Sequence, residues 1–305
     1  MILDLNCIKC NINQVIKITD LLEVDRNKKE KIMRDVLKYL HEVDYGKCNP
    51  EVMGGTWNII LQYIENDNPY REIKEYYNLE TLKILDKIEN LIESSNNKFN
   101  TALKVAVAGN LIDFAAKHKF DFNLLKEKIE NINEISLAID HSKELYDKLK
   151  TAKTLMYLGD NCGEICLDKL FIKYIKAEFP DIKIYFAVRG KAIVNDVTLD
   201  DAKMVGMEEV AEIIENGDYS SGTVIERVSD EFKEKFYGVD VIIAKGQGNY
   251  ESLREIDRDN LFHLFMAKCK SVANLLEVKN LSIVCVENKQ WKCSNNSPNL
   301  SPKSV

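Results

Sequence analysis

Apolar positions recur at helical spacing through the first half of the chain and in short runs through the second. That change of period divides the sequence. Between Arg26 and Val43, the residues Ile32, Met33, Val36, Leu37 and Leu40 fall on one helical face, with Lys, Arg and Glu between them. Pro50 opens another helix through Trp57, Ile60 and Leu61, as suits a residue without a backbone N–H in a first turn. The charged stretch from Pro69 to about Glu93 predicts two helices, divided near Asn78. Lys98 to Lys117 contains A-L-K-V-A-V-A-G-N-L-I-D-F-A-A, small and apolar enough for a buried helix. Asn110 and Asp113 share one face of it. They read either as a polar pair at the edge of the helical layer or as the lining of a site.

From Lys153 onward strands and helices alternate. Leu155–Leu158 is too short a run for a helix and reads as a buried strand, followed by a helix from Glu164 to about Glu178, which Pro180 ends. Ile182–Val188 is a second strand. A short helix begins near Thr198, which with Asp201 has the spacing of a capping box. Glu209–Ile214 is a short strand, Asn216–Thr223 a Gly- and Ser-rich loop, and Ser229–Phe236 a helix. Val239–Ala244, His263–Lys268 and Ser282–Val286 are further strands, the last two separated by a helix over Ser271–Glu277. This order predicts an α/β fold, a three-layer α/β/α Rossmann-like and mostly parallel sheet with an N-terminal helical region. The expected divisions are 1–150 for the helical region, 151–290 for the α/β domain, and 291–305 for a disordered Ser/Asn/Pro-rich tail.

Composition narrows the function without naming it. The formal net charge of -7 argues against a nucleic-acid binder, because no basic face compensates it. No apolar run approaches the roughly 20 residues that span a bilayer, and the N-terminus is too short in apolar residues for a signal peptide. A cytoplasmic protein with no membrane partner is expected. Eight cysteines among 305 residues are too sparse for a disulfide scaffold. Cys7-x-x-Cys10 is compatible with metal binding, with redox use, or with neither, and Cys48 would be a third ligand. The four histidines share no ligand spacing, and the P-loop and G-x-G-x-x-G patterns are absent.

The candidate chemistry lies at strand ends. Ligands of open α/β sheets bind beyond the C-terminal ends of the strands. The first such loop, Gly159-Asp160-Asn161-Cys162-Gly163, sets an acid beside an amide. Taken alone, Asp160 and Asn161 serve equally as helix caps or as oxygen ligands for a cation. The second loop carries Arg189, Lys191, Asn195 and Asp196, and the third carries Lys245, Gln247 and Asn249. Together they supply two carboxylates and an amide for a divalent metal such as Mg²⁺ or Mn²⁺, with Lys245 for an anionic group. That combination suits metal-assisted phosphoryl chemistry on a small phosphorylated molecule. Glu164, in the first turn of the following helix, is a candidate catalytic or supporting carboxylate.

The chain resembles the DUF89 family of metal-dependent damage-control phosphatases, and most closely its CxxC-bearing archaeal and bacterial branch. The residues that carry the resemblance are C-I-K-C at Cys7, N-P-Y-R-E-I-K at Asn68, A-G-N-L-I-D-F at Ala108, G-D-N-C-G-E-I-C-L-D at Gly159, V-R-G-K-A-I-V-N-D at Val188 and K-G-Q-G-N-Y-E at Lys245. The resemblance implies a helical region packed on a Rossmann-like domain. It also implies Mn²⁺, Mg²⁺, Co²⁺ or Ni²⁺ on Asp160, Asn161 and Asp196, a substrate-phosphate contact by Lys245, and Asn110 and Asp113 beside the active site. Cys162 departs from the alanine usual in the family. Two other readings are kept: an S-adenosylmethionine-dependent carboxyl methyltransferase, and a non-enzymatic metal or redox protein using Cys7 and Cys10.

Overall fold

The protein is described here by a computed structural model, which covers residues 1–111, 132 and 135–288. The helix end expected between 112 and 117, Asp113, and the tail 291–305 lie outside the described residues. The chain opens with helices α1 (Leu5–Leu21), α2 (Arg26–Glu42), α3 (Asn49–Tyr63), α4 (Arg71–Leu82), α5 (Leu85–Glu93) and α6 (Lys98–Ala108). Local chemistry starts several of them. Asp25 accepts the Lys28 amide at 3.0 Å and Asn97 the Asn100 amide at 3.0 Å, caps worth about 1 kcal/mol each. The charged stretch breaks at Lys83–Ile84 rather than at Asn78, which is buried in the middle of α4. Helix α6 ends sooner than its composition suggests, passing at Gly109–Leu111 into a 3₁₀ turn.

Among the described residues that follow, one seven-stranded sheet is built from β1 (Ile139–Asp140), β2 (Thr154–Leu158), β3 (Lys183–Val188), β4 (Glu212–Glu215), β5 (Val241–Lys245), β6 (Leu261–Met266) and β7 (Ile283–Glu287). Between strands run α7 (Ser142–Leu149), α8 (Glu164–Glu178), α9 (Leu199–Met204), α10 (Asp230–Gly238), α11 (Gly246–Leu253) and α12 (Lys270–Leu275). The strand order is β1-β7-β6-β5-β2-β3-β4, parallel except where β7 meets β6. The chain therefore leaves β2 first toward β3 and β4, then returns on its other side through β5 and β6. That reversal makes the ends of β2 and β5 a switch point, where open sheets hold ligands.

Two boundaries differ from expectation. Strand β1 pairs with β7, so Ile139–Asp140 joins the sheet from within the stretch 1–150 expected to be helical. A two-residue strand carries too little periodicity to be read in advance. Glu209 belongs to a 3₁₀ turn, and β4 begins at Glu212.

The layers follow from alternation along β2. Leu155 and Tyr157 face a core shared with α8 and the N-terminal helices; Met156 and Leu158 face the opposite layer, with Phe232 and Phe236 of α10. The first core runs from Leu3 and Trp57 to Ile165 and Phe186 without a break, so the helical region and the sheet bury one another. Among the described residues no helix is long and apolar enough to cross a membrane.

Candidate functional site at the ends of β2, β3 and β5

In-register pairing brings the three loops together. Leu158 lies level with Ala187 on one side and Ala244 on the other, so the residues that follow emerge at one edge. Asn161 and Asp196 then form an isolated antiparallel bridge, and the Val197 amide donates to the Asp160 carbonyl at 2.9 Å. Asp160, Asn161 and Asp196 are thereby held within one crevice, each under a tenth exposed.

Their side chains form a charge network. Asn161 donates its amide to Asp160 Oδ2 at 2.6 Å and, at 3.5 Å, to Glu164 Oε2. A planar amide that points its NH₂ at carboxylates presents its oxygen on the other side. Arg189 Nε donates to Asp196 Oδ2 at 2.7 Å. Burial pushes the Asp160 carboxyl well above the usual carboxylate range, and the neighbouring Glu164 and Asp196 add to it. Among the described residues, no three His, Cys, Asp or Glu side chains converge as a metal-holding group by themselves. The candidate donors are two carboxylates and one amide oxygen.

Helix α11 opens directly against this cluster. Gly246 has φ +80°, and a Cβ there would lie 1.9 Å from Asp160 Oδ2. Only glycine lets the chain turn from β5 into α11 while Asp160 occupies that space. The K-G-Q-G-N stretch is thus a strand end and a helix start, where a loop was expected.

Lys245 is placed differently from the expectation that it meets substrate. It is fully buried, and its ammonium donates to Glu164 Oε1, to Asp168 Oδ1 at 2.6 Å, and to the Ala106 carbonyl at 2.9 Å. A lysine has three N–H donors, and these acceptors use all of them. Burial works against its charge, but Asp168 and Glu164 outweigh that and shift its pKa upward. Burial raises the Asp168 carboxyl to about 7 despite Lys245. Tyr157 also donates to Asp168 Oδ1, at 2.7 Å. Asn110 donates to Glu164 Oε1 and accepts the Met266 amide at 3.1 Å, so it anchors the carboxylate network from the 3₁₀ turn after α6.

Sequence reasoning missed two residues of α4. Lys74 is fully buried and pairs with Asp201 at 2.6 Å, and Asp201 accepts the Thr198 amide at 2.8 Å. This ties α4 to the loop that carries Asp196. Asn78 Oδ1 accepts the Gly163 amide at 2.6 Å, capping α8, which has no side-chain cap of its own. A signal existed. Tyr70, Lys74, Tyr77 and Thr81 recur at helical spacing, so a lysine stood on a buried face.

Cys7 is buried, Cys10 exposed and Cys48 half-buried, all as free thiols. Burial pushes the Cys7 thiol up to about 12, with the Glu251 and Cys10 charges adding to it. Cys162 is buried at the start of α8, and burial likewise raises its thiol.

Beside the crevice opens a cleft of about 1060 Å³, lined by α3, the segment 66–73 and the loop after β3. Arg189 lies in its wall, with its Nη2 buried and unpartnered.

Residues 3–284 match the model of the damage-control phosphatase ARMT1-like domain. A damage-control phosphatase of Pyrococcus horikoshii is 34% identical over 285 residues, covering 93% of this chain and 97% of its own. One of Archaeoglobus fulgidus is 28% identical over 271 residues, covering 88% of this chain and 92% of its own. The crystal structure of a DUF89 family protein from P. horikoshii superposes with a TM-score of 0.84 at 32% identity, covering 94% of this chain and 99% of that one.

Proposed function

Since the chain belongs to the damage-control phosphatase ARMT1-like family, we propose that it hydrolyses small phosphorylated metabolites with a divalent metal at the strand-end crevice. The observation that carries this is the carboxylate cluster. Asp160, Glu164, Asp168 and Asp196 outnumber the cations Arg189, Lys245 and Lys268, and burial, with Glu164 and Asp196 adding to it, raises the Asp160 carboxyl well above the usual range. A divalent cation on Asp160, Asn161 and Asp196 suits that excess and a set of hard oxygen donors. Mn²⁺, Mg²⁺, Co²⁺ and Ni²⁺ all fit such donors.

A cation held there supplies Lewis-acid polarisation of a phosphoryl oxygen. The chain's own groups do the rest. Arg189 fixes Asp196 through Nε and sets a positive charge beside the crevice, which suits a phosphoryl group there. Glu164 acts by positioning, because its oxygens already accept from Lys245, Asn110 and Asn161. Lys245 holds the Glu164–Asp168 pair in place. Burial of the donors excludes bulk water and strengthens each charge interaction. A methyltransferase site would want an acid after the second strand to hold a ribose. Here β3 ends at Val188 and is followed by Arg189.

The test is hydrolysis of p-nitrophenyl phosphate and of sugar phosphates with Mn²⁺, Mg²⁺, Co²⁺ or Ni²⁺ added and with EDTA. Turnover should vanish with EDTA, and Asp160→Asn should lower kcat by about 10²- to 10³-fold, the scale of losing a central electrostatic group. Activity that persists in EDTA would sink the metal assignment.

A further inference from the structure

The loop between β3 and α9 carries Asp196, and its backbone is strained. Val194, two residues earlier, has φ +45°. A β-branched residue seldom adopts that region, and such a conformation persists only where its surroundings hold it. The loop is held on both sides. Before Val194, Trp57 Nε1 donates to the Ala192 carbonyl at 3.0 Å. After Asp196, the Thr198 amide and hydroxyl donate to Asp201 Oδ2 at 2.8 and 2.6 Å. The same carboxylate oxygen pairs with Lys74 Nζ, on α4, at 2.6 Å.

Lys74 is a fully buried cation with no part in the chemistry proposed above. Burial works against its charge, but Cys162, Asp201 and Asp196 outweigh that and shift its pKa upward. Its ammonium therefore lies near both halves of the donor set: Cys162 follows Asn161, and Asp196 stands on the facing loop. Asn78, one turn further along α4, accepts the Gly163 amide at 2.6 Å. Helix α4 thus reaches the Asp160–Asn161 turn through Asn78 and the Asp196 loop through Lys74. A buried ion pair is seldom worth more to stability than apolar groups of the same shape. What the pair places explains it better.

We infer that Lys74 is a positioning residue for the divalent cation: through Asp201 and Thr198 it holds Asp196 opposite Asn161, where one cation can take both. The inference rests on the metal reading of the crevice. Lys74 touches neither cation nor substrate and acts through the Asp201 carboxylate. Without it the strain at Val194 relaxes, and Asp196 moves with the loop.

Mn²⁺ binding read by calorimetry tests this, so the result does not depend on turnover. Charge and position predict opposite signs. Removing a cation near the crevice should by charge alone tighten Mn²⁺ binding. Loss of positioning should weaken it. Lys74→Met should bind Mn²⁺ about 10- to 100-fold more weakly than wild type, at a temperature where circular dichroism shows it folded. Thr198→Val leaves the ion pair intact and removes only the hydroxyl bond to Asp201. It should weaken Mn²⁺ binding about three- to tenfold, on the scale of one hydrogen bond, and it carries the measurement if Lys74→Met does not fold. Unchanged or tighter binding in the folded variants, beside a wild type that binds Mn²⁺, overturns the inference and leaves the metal reading standing. A wild type that does not bind Mn²⁺ overturns the metal reading, and the role of Lys74 with it.

Discussion

The strand-end crevice and the cleft beside it share Arg189 and differ in how their polar groups are used. In the crevice the charges bind one another. Lys245 has all three donors engaged, Asn161 bridges two carboxylates, and Gly246 leaves room for Asp160. In the cleft wall, Arg189 Nη2 and Asn68 Oδ1 are buried without a hydrogen-bond partner. The difference teaches where each property is built. A preorganised charge cluster suits a step common to all phosphate esters, because its geometry does not depend on the rest of the substrate. The wall beside it is not closed into such a network, so changes there should leave the crevice geometry in place.

The contrast can be broken most forcefully at Lys245. Replacing it with Met leaves Glu164 and Asp168 buried without their cation, which should cost about 3–5 kcal/mol of stability and abolish turnover. Denaturant melts would show it. Asn68→Leu, in the cleft, should change stability by no more than about 0.5 kcal/mol, as is usual away from buried networks. Equal costs for the two would erase the distinction between regions.

A second variant separates the crevice from other buried charge. Glu251, on α11, is 3% exposed and accepts Gln247 Nε2 at 2.7 Å; burial pushes its carboxyl from 4.5 up to about 7. Its folded pKa exceeds its unfolded one, so the folded state binds the proton more tightly. Its contribution is complete below about pH 4 and is lost as pH rises through about 7. Glu251→Gln should remove that loss, gaining up to about 3 kcal/mol over wild type above pH 7. Melting temperatures measured from pH 5 to 8 should converge at the acid end. A constant gap across the range would mean that the carboxyl does not titrate there.

A variant of modest expected effect sharpens the link between the helical region and the sheet. Asn78→Ala removes the cap on Gly163 and should cost about 1 kcal/mol. Because Gly163 follows the Asp160–Asn161 turn, kcat should fall along with stability. Unchanged kcat at a temperature where the variant is fully folded would show that α4 supports the fold without tuning the turn.

Much of this was legible along the chain. The switch from helical spacing to short apolar runs predicts the layered α/β fold, and the family match and the superposition agree with it. Strand ends carrying Asp160, Asn161, Asp196 and Arg189 pointed to one crevice, since parallel strands in register must deliver their ends to one edge. Less visible were the antiparallel β7, the two-residue β1 and the short α11, whose pairing or packing partners lie far away in sequence.

What the sequence determined by itself, then, is the set of elements and the side chains at their ends, because periodicity and turn chemistry are local. Tertiary structure alone decided which groups are free. Lys245 reads along the chain as a substrate contact and Lys74 as an ordinary lysine, and both are fully buried against carboxylates. Asn68 reads only as the start of the N-P-Y-R-E-I-K motif, yet its side-chain oxygen is buried without a hydrogen-bond partner. A residue's type fixes how many hydrogen bonds it can make; only the packed neighbours fix how many are already made.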